Sequence, residues 1–297
     1  MTTTTDAAAD IDEEQHEVVA TLAVTRSRRR PAMPGLRDLA TVAAVLVVAV
    51  LTAWAIAPGL FTGHDPYAGV TADNFRAPSW EHLFGTDQFG RDILARVVFG
   101  TRTAVLTALL AVGIGLVAGS AVGLIAGFSG RVADAILGRL IDALLAIPGF
   151  LLAVVVVVSL GFASVNAAVA VGISSVAVFA RLIRSETLRV KNTAFIESSR
   201  LIGGGKIVVL CRHVLPNVYR SVLALAVLQF GLAIINISAL AFLGYGNPPP
   251  SPDWGLLVAD GKNFFYRYPW FVYGPGLVIV LSVLSLGQLS KLIGRNR

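Results

Sequence analysis

Hydrophobic positions in this chain gather into long runs, without the short alternations or three-to-four-residue spacings of a soluble domain. Six runs, at about 38–58, 103–126, 143–163, 165–182, 220–243 and 271–290, match the roughly 20 apolar residues that cross a hydrocarbon core. Their cores contain no Asp, Glu, Lys, Arg or His. In lipid a backbone must satisfy its own hydrogen bonds, so each run predicts a helix. The expected fold is all-α, a polytopic membrane bundle of six transmembrane helices. The third and fourth runs nearly abut, leaving Leu160-Gly161-Phe162-Ala163-Ser164-Val165-Asn166 as a very short turn. The first run follows Arg28-Arg29-Arg30 and contains Ala53-Trp54-Ala55, as a secretory signal would. Its late start and its length favour an uncleaved helix.

The polar segments predict the organisation around these spans. Residues 1–25 are Thr-, Ala- and acid-rich with little periodicity, and residues 1–37 as a whole predict a disordered cytoplasmic tail. Basic residues precede the first span (Arg26, Arg28, Arg29, Arg30, Arg37) and fall between the second and third (Arg131, Arg139). Others lie between the fourth and fifth (Arg181, Arg184, Arg189, Lys191, Arg200, Lys206, Arg212) and after the sixth (Lys291, Arg295, Arg297). With six spans these regions share one side, and the positive-inside rule makes that side, with both termini, cytoplasmic. Each charge near the bilayer centre would cost about 2.5–3.5 kcal/mol, which keeps 181–213 out of the membrane.

On the opposite side, residues 59–102 predict an external segment with an amphipathic helix at the interface. Thr86 or Asp87 is a candidate N-cap, Asp92 and Arg96 are spaced to pair, and Ile93, Leu94, Val97 and Val98 form the apolar stripe. The stretch Gly244–Gly255, with Pro248, Pro249, Pro250 and Pro252, predicts a stiff outer loop. Trp254, Tyr266, Tyr268 and Trp270 suit an interface.

Within the spans, Gly115, Gly119, Gly123 and Gly127 recur every four residues and predict a smooth face for close helix packing. Arg139 and Asp142 are spaced to pair at the start of the third span, and Pro148 is positioned to kink it. Gln229, Asn236 and Ser238 are polar positions in the fifth, suited equally to lining a pathway or to joining helices.

Composition narrows the chemistry. Of 297 residues, 55% are hydrophobic and 14% charged, against about 25% charged in soluble domains. The single cysteine, Cys211, excludes an internal disulfide. The net charge of +6 belongs to membrane orientation, and no nucleic-acid partner is expected. The four histidines (His16, His64, His82, His213) have no metal-ligand spacing along the chain. Gly203-Gly204-Gly205-Lys206 lacks the spacing and the preceding strand of a phosphate loop. No catalytic arrangement is identifiable, so the chain is expected to be a non-enzyme without a cofactor or metal of its own. Uncharged spans argue against a self-powered carrier, though not against a sodium-coupled one, so the energy for transport is expected from elsewhere.

One polar stretch is specific. Glu197-Ser198-Ser199, three residues, Gly203, nine residues, then His213-Val214-Leu215-Pro216-Asn217 resembles the EAA loop of permease subunits of bacterial ABC importers. Ser198 and Ser199 stand where that pattern has alanines. Gly85-Thr86-Asp87, Gly90-Arg91-Asp92, Ala180-Arg181-Leu182-Ile183-Arg184, and Pro248-Pro249 with Trp254-Gly255 resemble the C-type permease of the dipeptide/oligopeptide branch. The likeness runs from about 36 to 290 and departs at the C-terminus, Ser290-Lys291-Leu292-Ile293-Gly294-Arg295-Asn296-Arg297.

The resemblance implies a type I importer permease fold in a bacterial inner membrane, with a five-helix core over 103–290 and a coupling loop at 191–217. It implies assembly with a second permease as a heterodimer, two cytoplasmic ATPase domains that use ATP and Mg, and an external peptide-binding protein, with peptide as substrate. Glu197, Ser198, Ser199, Gly203, His213, Leu215, Pro216 and Asn217 would then contact an ATPase. A permease for nickel chelates or another small solute is the neighbouring alternative. A self-sufficient channel or carrier and a membrane scaffold without transport activity are the rivals from other classes.

Overall fold

The structure, a computed structural model, describes residues 36–191 and 215–295. The compact unit is Thr41–Arg297, and of the unit Met1–Ala40 only the first turn of a helix, from Leu36, is described. Among the described residues the α-helices are α1 (Leu36–Ile56), α2 (Ile93–Phe128), α3 (Arg131–Ala146), α4 (Gly149–Leu160), α5 (Ser164–Lys191), α6 (Leu215–Phe242), α7 (Trp254–Gly261) and α8 (Trp270–Arg295). Helices α1, α2, α5, α6 and α8 are each long and apolar enough to cross a membrane, and α3 with α4 makes a sixth span only as a pair.

The second span differs from its expected form. No separate interfacial helix precedes it, because α2 runs unbroken for 36 residues, about 54 Å at 1.5 Å per residue. No proline interrupts Ile93–Thr103, and the stripe expected at the interface packs into protein, with Ile93, Val97 and Val98 fully buried. The N-cap is Asp92, whose carboxylate accepts from the Ala95 N–H at 2.6 Å, and not Thr86 or Asp87. Those two sit in a loop closed by an antiparallel bridge between Thr86 and Asp92.

Helices α2 and α5 form the tightest pair, and they run parallel. Gly115 faces Ser175, Gly119 faces Val176 and Phe179, Gly123 faces Ala180 and Ile183, and Gly127 faces Thr187. A Cβ at Gly119 would lie 2.5 Å from Phe179 Cβ and 2.6 Å from the Val176 carbonyl oxygen. At Gly119 and Gly123 backbone meets backbone, a contact that only glycine permits, while Gly115 meets the Ser175 side chain and Gly127 that of Thr187. At its far end the Lys191 ammonium donates to the Gly127 carbonyl at 3.2 Å, a cation on the C-terminal carbonyls of α2.

The third span is not one straight helix through 143–163. Helices α3 and α4 meet at 88° across Ile147–Pro148. Proline lacks the N–H that would continue the ladder and biases the preceding residue towards extended backbone, and Ile147 is extended with ψ 127°. At 12 residues, about 18 Å, α4 alone falls short of a roughly 30 Å hydrocarbon core. It ends at Gly161, where φ of +92° turns the chain into α5. Asp142 faces Arg181 at 3.5 Å instead of pairing with Arg139. The Arg184 guanidinium reaches Asp134 at 2.6 Å and fastens α5 to α3. Helix α8 docks on α6 through Leu286 beside Gly231 and a 2.6 Å hydrogen bond from the Ser290 hydroxyl to the Ala224 carbonyl.

Candidate functional site

Four helices leave a recess of about 240 Å³ among the spans. Ala111 and Val112 line it from α2, Gly149 and Phe150 from α4, Ser174, Ser175 and Val178 from α5, and Gln229, Leu232, Ala233 and Asn236 from α6. Gln229 and Asn236 are seven residues apart, two helical turns, so one face of α6 presents both amides. The Ser174 hydroxyl donates to the Val171 carbonyl and that of Ser175 to the Gly172 carbonyl, both at 2.8 Å. Their oxygen lone pairs remain as acceptors. The lining carries no charge, and its amides and hydroxyls together offer donors and acceptors to an uncharged polar group. Ser238, grouped with Gln229 and Asn236 on sequence, does not line the recess. Its carbonyl oxygen lies where a Cβ on Gly255 would come within 2.0 Å, at the contact of α6 with α7.

At the end of the bundle that carries the 57–92 and 243–269 segments, two motifs become one structure. Asp87 is fully buried, and its carboxylate pairs with Arg91 Nε at 2.6 Å and with Arg96 Nη1 at 2.7 Å. Its other oxygen accepts the N–H groups of Phe89 and Arg91. Arg96, also fully buried, donates through Nη2 to the Pro250 carbonyl at 3.3 Å and the Ser251 carbonyl at 3.4 Å. Arg96 therefore pairs with Asp87, and Asp92, expected as its partner, accepts from His82 Nδ1 at 2.9 Å.

The Trp254 indole N–H donates to the Val97 carbonyl at 2.9 Å. Asp253 caps α7 by accepting from the Gly255 and Leu256 N–H groups, and it accepts the Ser164 hydroxyl at 3.2 Å. Burial pushes the Asp253 carboxyl up, against the pull of those three donors. The Ser164 N–H donates to Asn247 Oδ1 at 2.9 Å, so the first residue of α5 belongs to the same knot. Sequence reasoning quoted the Gly85–Asp92 and Pro248–Gly255 motifs without joining them. Arg96, an arginine at the head of an apolar helix, was the signal that a buried carboxylate had to meet it.

Glu197, Ser198, Ser199, Gly203 and His213 lie outside the described residues. Leu215, Pro216 and Asn217 open α6, with Pro216 in its first turn and exposed. Lys191 closes α5, so the two helices that flank the 192–214 segment both contribute to the polar recess.

A bundle of membrane-length helices around an uncharged polar recess defines the class as a polytopic transport protein. The chain belongs to the family of binding-protein-dependent transport system inner membrane components, whose pattern it matches over residues 119–296. It is 38% identical over 246 residues to the glutathione transport system permease protein GsiD of Escherichia coli O157:H7, covering 82% of this chain and 79% of that protein. The GsiD proteins of Shigella sonnei and Shigella dysenteriae serotype 1 match to the same extent. A crystal structure of an amino acid ABC transporter with histidines superposes with a TM-score of 0.53 at 16% identity, over 68% of this chain and 94% of the other, and shows the shared fold. The chain is thus a non-catalytic, multi-pass permease subunit of an ABC importer, a class that works with ATPase and binding-protein partners.

Proposed function

We propose that this permease passes short peptides or peptide-like solutes such as glutathione into the cytoplasm. The observation that carries this reading is the 38% identity across 82% of the chain to a glutathione permease. The recess agrees chemically, since Gln229, Asn236, Ser174 and Ser175 can exchange hydrogen bonds with amide groups without demanding a charge. In this reading the chain pairs with a second, non-identical permease. The basic ends of α5 and α8, the arginines of α3 (Arg131 and Arg139) and the 192–214 segment face the cytoplasm, and the knot around Arg96 faces outward. Glu197, Gly203 and the Leu215-Pro216 exit dock on an ATPase subunit, which holds the ATP and Mg. ATP-driven closure then moves α5 and α6, the walls of the recess, and exchanges its access from one side to the other.

Uptake of labelled glutathione, dipeptides and tripeptides, in cells carrying this permease with its partner subunits, tests the proposal. Uptake that requires the intact chain is expected. Glu197→Lys or Gly203→Asp should uncouple ATP hydrolysis from uptake, or block ATPase assembly, while the variant still inserts. Normal uptake in both variants would remove the docking role. Transport of a nickel chelate but no peptide would reassign the substrate, and uptake by the purified chain alone would point to a carrier.

A further inference from the structure

Histidine 82 is almost wholly buried in the segment between α1 and α2, and its ring is held on one side only. Nδ1 lies 2.9 Å from Asp92 Oδ2. A carboxylate only accepts, so the Nδ1–H must donate. The opposite nitrogen, Nε2, is buried without a hydrogen-bond partner. In the neutral ring that tautomer leaves a lone pair on Nε2, the arrangement in which a carboxylate orients a metal-binding imidazole. A second imidazole stands beside it, since the rings of His64 and His82 are 5.0 Å apart, centre to centre. Two imidazoles bound at about 2.0–2.1 Å to one tetrahedral ion have ring centres about 5 Å apart. One ligand atom from each of His64, His82 and Asp92 lies within 4.8 Å of the others.

Both histidines sit in fastened turns. The His82 carbonyl accepts from Ser79 N–H and Gly85 N–H, and the His64 N–H donates to the Thr62 hydroxyl. Asp92 already has two duties, accepting from Ala95 N–H through Oδ1 and from His82 through Oδ2.

We propose that His64 and His82 bind a divalent transition-metal ion of the zinc type, through Nε2 of His82, with Asp92 as a positioning residue and water completing the shell. Two imidazoles favour such an ion over Mg²⁺ or Ca²⁺, which prefer oxygen ligands. His64 is exposed and gives the ion its entry path. The bound ion clamps the turn at Thr62–Asp65 to His82, which Asp92 at the head of α2 holds, and so ties the exit of α1 to the bundle. The proposal rests on this local geometry and does not depend on which solute is transported.

The test uses the full chain in detergent, without a polyhistidine tag, stripped with EDTA and desalted. Residues His16, Cys211 and His213 are replaced (His16→Ala, Cys211→Ser, His213→Ala) to remove other ligands. Titration with Zn²⁺ by calorimetry should show one equivalent per chain. His64→Ala, an exposed change that leaves the fold intact, should abolish it. His82→Gln should do the same, and Asp92→Asn, which keeps the N-cap, should weaken binding by about 10–100-fold. Zn²⁺ should also slow proteolysis at the Thr62–Asp65 turn in the parent and not in His64→Ala. Absence of saturable binding below about 1 mM, roughly 4 kcal/mol of affinity, would overturn the proposal. Undiminished binding in His64→Ala would also overturn it.

Discussion

Replacing Gly119 with alanine inserts one methyl group where α2 and α5 touch. Its Cβ would lie 2.5 Å from Phe179 Cβ, 2.6 Å from the Val176 carbonyl oxygen and 3.0 Å from the Ala180 nitrogen. Ordinary carbon contacts fall at about 3.5–4.0 Å, so the intrusion is about 1 Å. Phe179 is fully buried, and the other two obstacles are backbone, so no side chain can swing aside. The helices must separate, which also loosens the contacts at Gly115, Gly123 and Gly127. Overpacking of this kind costs about 1–3 kcal/mol. The intrinsic helix preference of alanine over glycine acts the other way by up to about 1 kcal/mol. Gly113, on the same helix, has nothing within 4 Å of its would-be Cβ, so Gly113→Ala measures that preference alone. Thermal melting of the detergent-solubilised protein by fluorescence-detected size exclusion is the assay. At about 2–4 °C per kcal/mol, Gly119→Ala should melt about 2–12 °C below Gly113→Ala, which leaves Tm unchanged or slightly raised. Equal shifts in the two variants would refute the reasoning.

Arg96→Ala should destabilise by about 3–5 kcal/mol, because it strips Asp87 of one of two buried cations. Arg96→Met with Asp87→Asn should cost less than the sum of the single changes in the same melting assay. Gln229→Leu with Asn236→Leu should keep assembly and ATPase activity but reduce uptake about tenfold or more, the loss of one to two hydrogen bonds, whereas Ser238→Ala should leave uptake near normal. Burial raises the Asp253 carboxyl, so the folded protein holds that proton more tightly than the unfolded chain. Its contribution is therefore largest below the ordinary carboxyl range and declines as pH climbs from there to the raised value. Asp253→Asn, which keeps the α7 cap, should flatten that part of the pH–Tm curve, and an unchanged slope would show that another group sets it.

The long apolar runs and the four-residue glycine period were legible because both are local patterns that a helix turns directly into a face. Pro148 signalled a kink, but a proline fixes only its place in the chain and not its 88° size. The recess was half legible. Gln229 and Asn236 share a face by their spacing of seven, while Ser238, two residues on, is turned by about 200° and points elsewhere. The pairing at the head of α2 misled because four-residue spacing favours Asp92 with Arg96 only if both belong to one exposed helix. The chain before Asp92 folds back instead, delivers Asp87 to Arg96, and leaves Asp92 to cap the helix and hold His82.

Helix α5 has 28 residues and so extends about 42 Å from Ser164 to Lys191. Ser164 is bonded to Asn247 and Asp253 at one face of the bundle, and Lys191 rests on the last carbonyls of α2 at the other. At Gly119 and Gly123 the seam between α2 and α5 is backbone against backbone, with little side-chain slack to absorb sliding. The two helices therefore form one strut, which under the proposed coupling would carry a push on the Lys191 end to the Ser164 end. Compliance has to come from where the chain is already bent, at Ile147–Pro148 and at Gly161. Stiffening Gly161 would then slow the working stroke without touching either the solute or the source of the force.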